Sequence, residues 1–173
     1  MAATGVETRA GEALAALYDA HGAGLFSYAC VLCRSRAEAE DAVQETFARI
    51  AARGHRLEKV EDMKSYLYAT LRNEAFRQGK RWRIWRARDE HAGSLRFAAA
   101  ETPPEGEPAA SPEALSIAMQ SLPGEQREAV FLKIWQEMTF AEIGALLGVP
   151  LDTAASRYRY GIEKLKKTLG ATA

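Results

Sequence analysis

Thr153, Ser156, Arg157, Tyr160, Lys164 and Lys167 recur at spacings that bring them to one side of a helix turning 100° per residue. Hydroxyls, a guanidinium, a phenol and ammonium groups on one face exchange hydrogen bonds and carry positive charge, which is chemistry for binding rather than for breaking bonds. The other side carries Ala154, Tyr158, Ile162, Leu165 and Leu169 with Gly161 beside them, so the helix has an apolar face to pack. Just before it, Thr139 followed three residues later by Glu142 marks a reciprocal helix cap. Phe140, Ile143 and Leu147 then line one face, and Gly144 leaves room for a neighbouring backbone. Gly148 ends that helix, Pro150 blocks its continuation, and Asp152 is placed to cap the next one. Two helices across a glycine turn, the second basic outside, predict a helix-turn-helix whose second helix puts its N-terminal residues on major-groove base edges. Taken alone, the stretch also fits an amphipathic hairpin with a solvated charged face.

Two further stripes lie upstream. On a helix expected from about Ala37 to Arg53, Val43, Phe47, Ile50 and Ala51 form the buried face, and Asp41, Gln44, Glu45 and Ala48 lie roughly opposite. An acidic, amide-bearing stripe is a solvated face or suits a basic partner. On the next helix, Asn73, Arg77 and Lys80 share one side at i, i+4 and i+7, which makes them candidates for touching DNA. Leu67, Leu71, Trp82 and Trp85 share another if the helix continues past Gly79, so the tryptophans read as core or edge of core rather than a stacking platform.

Catalytic chemistry is not indicated. There is no Gly-rich phosphate loop, no paired carboxylates with an evident pocket and no supported Ser/His/Asp set, so an enzyme is not expected. Cys30 and Cys33 form a lone CxxC, and His21, His55 and His91 show no matching spacing; the thiols read as buried and reduced, with no metal or cofactor expected.

The chain has 173 residues, 47% apolar and 27% charged, enough to bury a core. No apolar run approaches the ~20 residues that cross a bilayer, and the N-terminal stretch has no basic segment followed by an apolar one, so a cytoplasmic protein without membrane insertion is expected. Basic and acidic residues balance at 23 each, which argues against a simple polycation, but they are segregated. From Arg72 to Arg88 seven cations face only Glu74; from Thr153 to Leu169 five face only Glu163; between them, Phe97 to Ser121 holds four acids and no base. Two basic patches on either side of an acidic strip suit two separate contacts with nucleic acid.

These residues need a helical scaffold. A first helix is expected from Ala10 to about Leu32, disturbed around His21-Gly22-Ala23-Gly24, and Arg34-Ser35-Arg36 connects it to the second. Gly54 to Asp62 reads as a loop, and a third helix starts near Asp62 and runs into the basic segment. Residues 97–112, dense in Pro, Gly, Ala and Glu, form a flexible linker. Ser111 with Pro112 starts a short helix through Leu115, Ala118 and Met119, and Pro123 starts another with Val130, Phe131, Ile134 and Trp135 inward. The expected fold is all-α: a helical domain at 10–96, the linker at 97–112, and a helical domain with the helix-turn-helix at 113–170.

Two segments resemble one family. AEDAVQETFARI at Ala39 to Ile50, then Arg72-Asn73 with its basic tail, and SLPGEQREAVFLKIWQEMTFAEIGALLGVP followed by TAASR, are similar to regions 2 and 4 of bacterial sigma factors of the extracytoplasmic-function (ECF) group. The resemblance implies a promoter-specificity subunit of RNA polymerase, with core polymerase (β′ and β subunits) and promoter DNA as partners. It assigns Asp41, Gln44 and Glu45, with Ala48 on the same stripe, to the β′ clamp helices. It assigns Asn73, Arg77, Lys80 and Arg81, with the loop His55 to Glu61, to the −10 element. It assigns Thr153, Ser156, Arg157 and Tyr160 to −35 base edges, and Arg159 and Lys164 to phosphates. An anti-sigma factor is a further family expectation, and the linker is expected to thread toward the RNA channel. DTAASRYRYG departs from the usual GTVKSR pattern at Ala155 and Tyr160, so an unusual −35 preference is implied, while Arg77 where an aspartate is frequent and Tyr66 where tryptophan is frequent leave the −10 sequence open. A stand-alone regulator that does not bind core explains Thr139 to Leu169 equally well but leaves the Asp41 stripe and the Arg72 to Arg88 patch idle.

Overall fold

A computed structural model describes residues 3–53, 60–77 and 111–170, with side chains from residue 11 onward. Within them lie α1 (Ala3–Leu32), α2 (Arg36–Arg53), α3 (Met63–Arg77), α4 (Pro112–Gln120), α5 (Gly124–Ile134), α6 (Phe140–Leu147) and α7 (Leu151–Gly170), and no strand occurs among the described residues. Residues 54–59 of the loop expected at 54–62, residues 97–110 of the expected linker, and Lys80, Arg81, Trp82 and Trp85 lie outside them.

Helix starts follow local chemistry. The Ser35 hydroxyl accepts from Glu38 N at 3.2 Å, Asp62 Oδ1 from Ser65 N at 3.0 Å, and Ser111 from Ala114 N at 3.1 Å, with Pro112 in the first turn of α4. Thr139 and Glu142 form the reciprocal cap expected of them, and Gly148 ends α6 at φ 68°, where a Cβ would be strained. The Pro150 carbonyl accepts from both Thr153 N and Ala154 N, so α7 starts two residues earlier than expected and Asp152 sits within its first turn rather than capping it. The turn between α5 and α6 places Glu137 at φ 53°, and Lys133 Nζ holds it by donating to the Met138 carbonyl at 3.1 Å.

The first helix differs from expectation. α1 runs unbroken through His21-Gly22-Ala23-Gly24. Gly24 serves packing instead: a Cβ there would stand 2.5 Å from the Tyr68 hydroxyl and 3.3 Å from Gln136 Oε1. On α2, Ala39, Ala42, Val43, Thr46, Phe47 and Ile50 are buried, whereas Ala51 is exposed. Ile134, expected inward, is exposed, and Trp135 takes its place by stacking on Phe131 with ring centroids 5.6 Å apart.

α1, α2 and α3 pack on one another, and α7 packs across α4, α5 and α6. The two groups touch: α1 meets α5 and α3 meets α6, and the buried side chains form one contiguous cluster from Leu25 to Leu165. At the contact, Tyr28 stacks on Phe131 at 5.8 Å. Glu128, 1% exposed, receives the Tyr28 hydroxyl at 2.5 Å and Arg72 Nε at 2.8 Å on one carboxylate oxygen. Lys64 Nζ donates to the Gln136 carbonyl at 2.5 Å, and Tyr68 donates to the Gln136 side chain. Burial, followed by the Glu128 carboxylate, pushes the Tyr28 phenol well above its ordinary value, so it stays a donor. Burial works against the Arg72 charge, but Glu128 more than offsets this and holds the guanidinium pKa above its ordinary value.

Candidate nucleic-acid interface

Packing fixes which face of α7 is free. Ala154, Gly161 and Leu165 are buried, and a Cβ on Gly161 would fall 2.6 Å from Val130 Cγ2, so α7 lies against α5 at its closest there. Gly144 plays the same part inside the motif, where a Cβ would meet the Val149 carbonyl at 2.8 Å. What remains outward is the polar stripe. Thr153, Ser156, Arg157 and Tyr160 line one open cleft of about 320 Å³ together with Asp152 and with Pro123, Glu125 and Gln126 from the start of α5. Arg159 and Lys164 are exposed beyond it, with the Arg159 guanidinium 5.2 Å from the Tyr160 ring centroid. The cleft therefore offers hydroxyls, a phenol and a guanidinium, and cations flank it, which suits base edges inside and phosphates outside.

Arg157 is not a free cation. Its Nη2 lies 2.8 Å from Glu125 Oε2, and its side chain is only 20% exposed. Glu125 and Gln126 were absent from the sequence reading, because the residue that Glu125 pairs with is 32 positions away and no periodicity links them. Glu128 left a detectable signal: a carboxylate three residues before Phe131 on a buried face is a charge in need of a partner.

The stripe on α2 is on the surface as expected for Asp41, Gln44 and Ala48, which are exposed, while Glu45 is half-buried and lies 3.6 Å from Arg49. Arg49 Nε in turn approaches the buried Glu74 Oε1 to 2.5 Å, a charge contact whose alignment falls short of a hydrogen bond, and this ties α2 to α3. On α3, Asn73 and Arg77 are exposed, and Arg77 lies 3.9 Å from Glu74. Arg72, the neighbour of Asn73, turns instead to Glu128, with its guanidinium 4.7 Å from the Phe76 ring centroid. Cys30 and Cys33 form no disulfide and are half-buried rather than buried, and burial raises the Cys30 thiol above its ordinary value. Among the described residues no three His, Cys, Asp or Glu side chains are grouped to hold a metal ion, and no helix is long and apolar enough to cross a membrane.

Two family models match the chain. Sigma-70 region 2 matches residues 17–89, and Sigma-70, region 4 matches residues 118–167. The chain is 29% identical over 157 residues to the ECF RNA polymerase sigma factor SigL of Mycobacterium tuberculosis, covering 89% of this chain and 87% of that protein. It is equally similar, over the same shares, to the RNA polymerase sigma factor CarQ of Myxococcus xanthus. Among solved structures it resembles the sigma factor RpoE bound to the anti-sigma factor NepR from Bartonella quintana, with a TM-score of 0.64, 26% identity and coverage of 85% and 90%. CnrH in complex with the cytosolic domain of CnrY shares the fold at a TM-score of 0.66, with 17% identity and 97% coverage of each chain.

Proposed function

Because the chain belongs to the sigma-70 family, in its extracytoplasmic-function group, it is a promoter-specificity subunit of RNA polymerase, and we propose which residues carry each contact. The observation that carries the proposal is the cleft that gathers Thr153, Ser156, Arg157 and Tyr160 at the N-terminal end of α7, a surface separate from the exposed Asp41, Gln44 and Ala48 of α2. Asp41, Gln44, Glu45 and Ala48 dock on the β′ clamp helices of core polymerase. Asn73 and Arg77, with Lys80 and Arg81 beyond the end of α3, engage the −10 element, where cations release counterions from phosphate and the amide pairs with a base edge. Thr153, Ser156, Arg157 and Tyr160 read the −35 element, and Arg159 and Lys164 bind its phosphates. The corresponding units are 10–96, the linker 97–112 and 113–170. The factor acts in the cytoplasm, where core polymerase and promoters are, as a non-enzymatic subunit. An anti-sigma factor regulates it, a reading supported by the similar sigma factor RpoE, which is bound to the anti-sigma factor NepR.

Geometry adds a requirement. Elements centred near −10 and −35 lie about 25 base pairs apart, about 85 Å along B-DNA at ~3.4 Å per pair. A compact chain of this length has a radius of gyration near ~16 Å and is only about 40 Å across. Contact between α1 and α5 through Glu128 is therefore incompatible with reading both elements at once, and the two halves separate on the polymerase. Reconstitution with bacterial core polymerase on a genomic promoter library, reading transcript starts, tests the proposal. Site-selective initiation from paired −10 and −35 sequences is expected; initiation no more selective than core alone overturns it. A stand-alone regulator would give no recovery of core subunits in a pull-down.

A further inference from the structure

We propose that the −35 reading surface extends from α7 onto the first turn of α5, where Glu125 is a specificity-determining residue that selects cytosine at one position. This rests on the reading of α7 as the −35 helix. Glu125 is bound to Arg157 at 2.8 Å, it keeps a third of its side-chain surface exposed, and both residues line the cleft that holds Ser156 and Tyr160. On the same wall, Gln126 Oε1 is buried without a hydrogen-bond partner.

An arginine on a basic helix facing DNA ordinarily goes to phosphate. Neutralised by Glu125, Arg157 contributes little to counterion release, and what the pair presents is a pattern of acceptors beside donors. In the major groove cytosine shows only its N4 amino donor, while its partner guanine shows the N7 and O6 acceptors. A carboxylate next to guanidinium donors is complementary to that pair. Facing thymine or guanine the carboxylate meets O4, or O6 and N7, and is repelled; facing adenine it meets one donor and one acceptor and gains little. Joining the two helices does not require the Glu125 pair, since Val130 and Gly161 already bring α5 and α7 into contact.

The test uses holoenzyme reconstituted from bacterial core polymerase and the full chain, on templates with a fixed −10 element and a randomised −35 element. Wild type is expected to favour cytosine at one position by roughly 5- to 150-fold. Glu125→Gln is expected to switch that position toward adenine, whose N6 and N7 suit an amide, and to leave the other positions unchanged. Glu125→Ala should lose the preference without gaining another, and Arg157→Ala should weaken it but keep cytosine first. Core-binding affinity equal to wild type in every variant controls for folding. A Glu125→Gln profile identical to wild type, or a uniform loss across all −35 positions, overturns the inference while leaving α7 as the reader. If wild type shows no −35 preference at all, the assignment of α7 falls and this inference falls with it.

Discussion

Replacing Glu128 by alanine should open the molecule rather than unfold it. Its carboxylate is 1% exposed and holds Tyr28 at 2.5 Å and Arg72 at 2.8 Å, both from the other half of the chain. Removing one member of a buried charge pair costs about 3–5 kcal/mol. Arg72 retains 17% of its side-chain surface through which water can reach it, which favours the low end, about 3 kcal/mol. That shifts the balance between docked and separated halves by roughly 100-fold. Because the halves separate on the polymerase, apparent affinity for core polymerase should rise by as much as the same factor where the docked form dominates. Small-angle scattering should show a larger radius of gyration for Glu128→Ala, and amides of α1 and α5 should exchange faster. Combining it with Arg72→Ala should give less than the sum of the two effects. An unchanged scattering profile, unchanged core affinity and a coupling within about 0.5 kcal/mol of zero would refute the reasoning.

Replacing Asp41, Gln44 and Glu45 together by alanine should abolish core binding in a pull-down while circular dichroism reports unaltered helix content; full retention of affinity removes that face from the docking role. Lys164→Ala should leave base preference intact and lower the slope of log affinity against log salt by about 0.9, measured by titrating −35 duplex. Thr139→Ala should cost about 1 kcal/mol in urea unfolding at neutral pH, since it removes the hydroxyl half of the α6 cap and leaves only the residue 139 amide donating to Glu142. The hydroxyl and amide of Thr139 hold the Glu142 carboxyl below its ordinary value, so the stabilisation is complete above the ordinary carboxylate range and is lost as pH falls through the depressed value. Thr139→Ala should flatten that part of the acid limb, and an identical acid limb in the variant would count against it. Gly161→Ala should destabilise by about 1–3 kcal/mol, because its methyl would overlap Val130; wild-type stability would show that α5 and α7 adjust freely.

What the sequence made legible was local. The cap at Thr139 and Glu142, the left-handed Gly148, and Ser111 before Pro112 depend on neighbours within four residues, and each is present. The outward stripe of α7 followed from a periodicity the packing preserves. Interactions between distant segments were not legible. Nothing near Gly24 announces that Tyr68 and Gln136 close over it, so the sequence there suggests a disturbed helix instead of a packing site at Gly24. Glu125 and Arg157 meet only because α5 and α7 cross, and the partners of Glu128 come from α1 and α3. Asp152 stands two residues past the cap of α7 because a proline carbonyl, which carries no side-chain signature, receives the first amides of α7.

The residues that seat α7, Ala154, Gly161 and Leu165, share no position with Tyr160, which lines its cleft, or with Arg159 and Lys164, exposed beyond it. Anchoring and recognition are thus written in separate letters of the same helix. An engineer could rewrite the outer letters to address a new promoter while the inner ones keep the scaffold unchanged, which makes this helix a natural starting point for building mutually insulated transcription circuits.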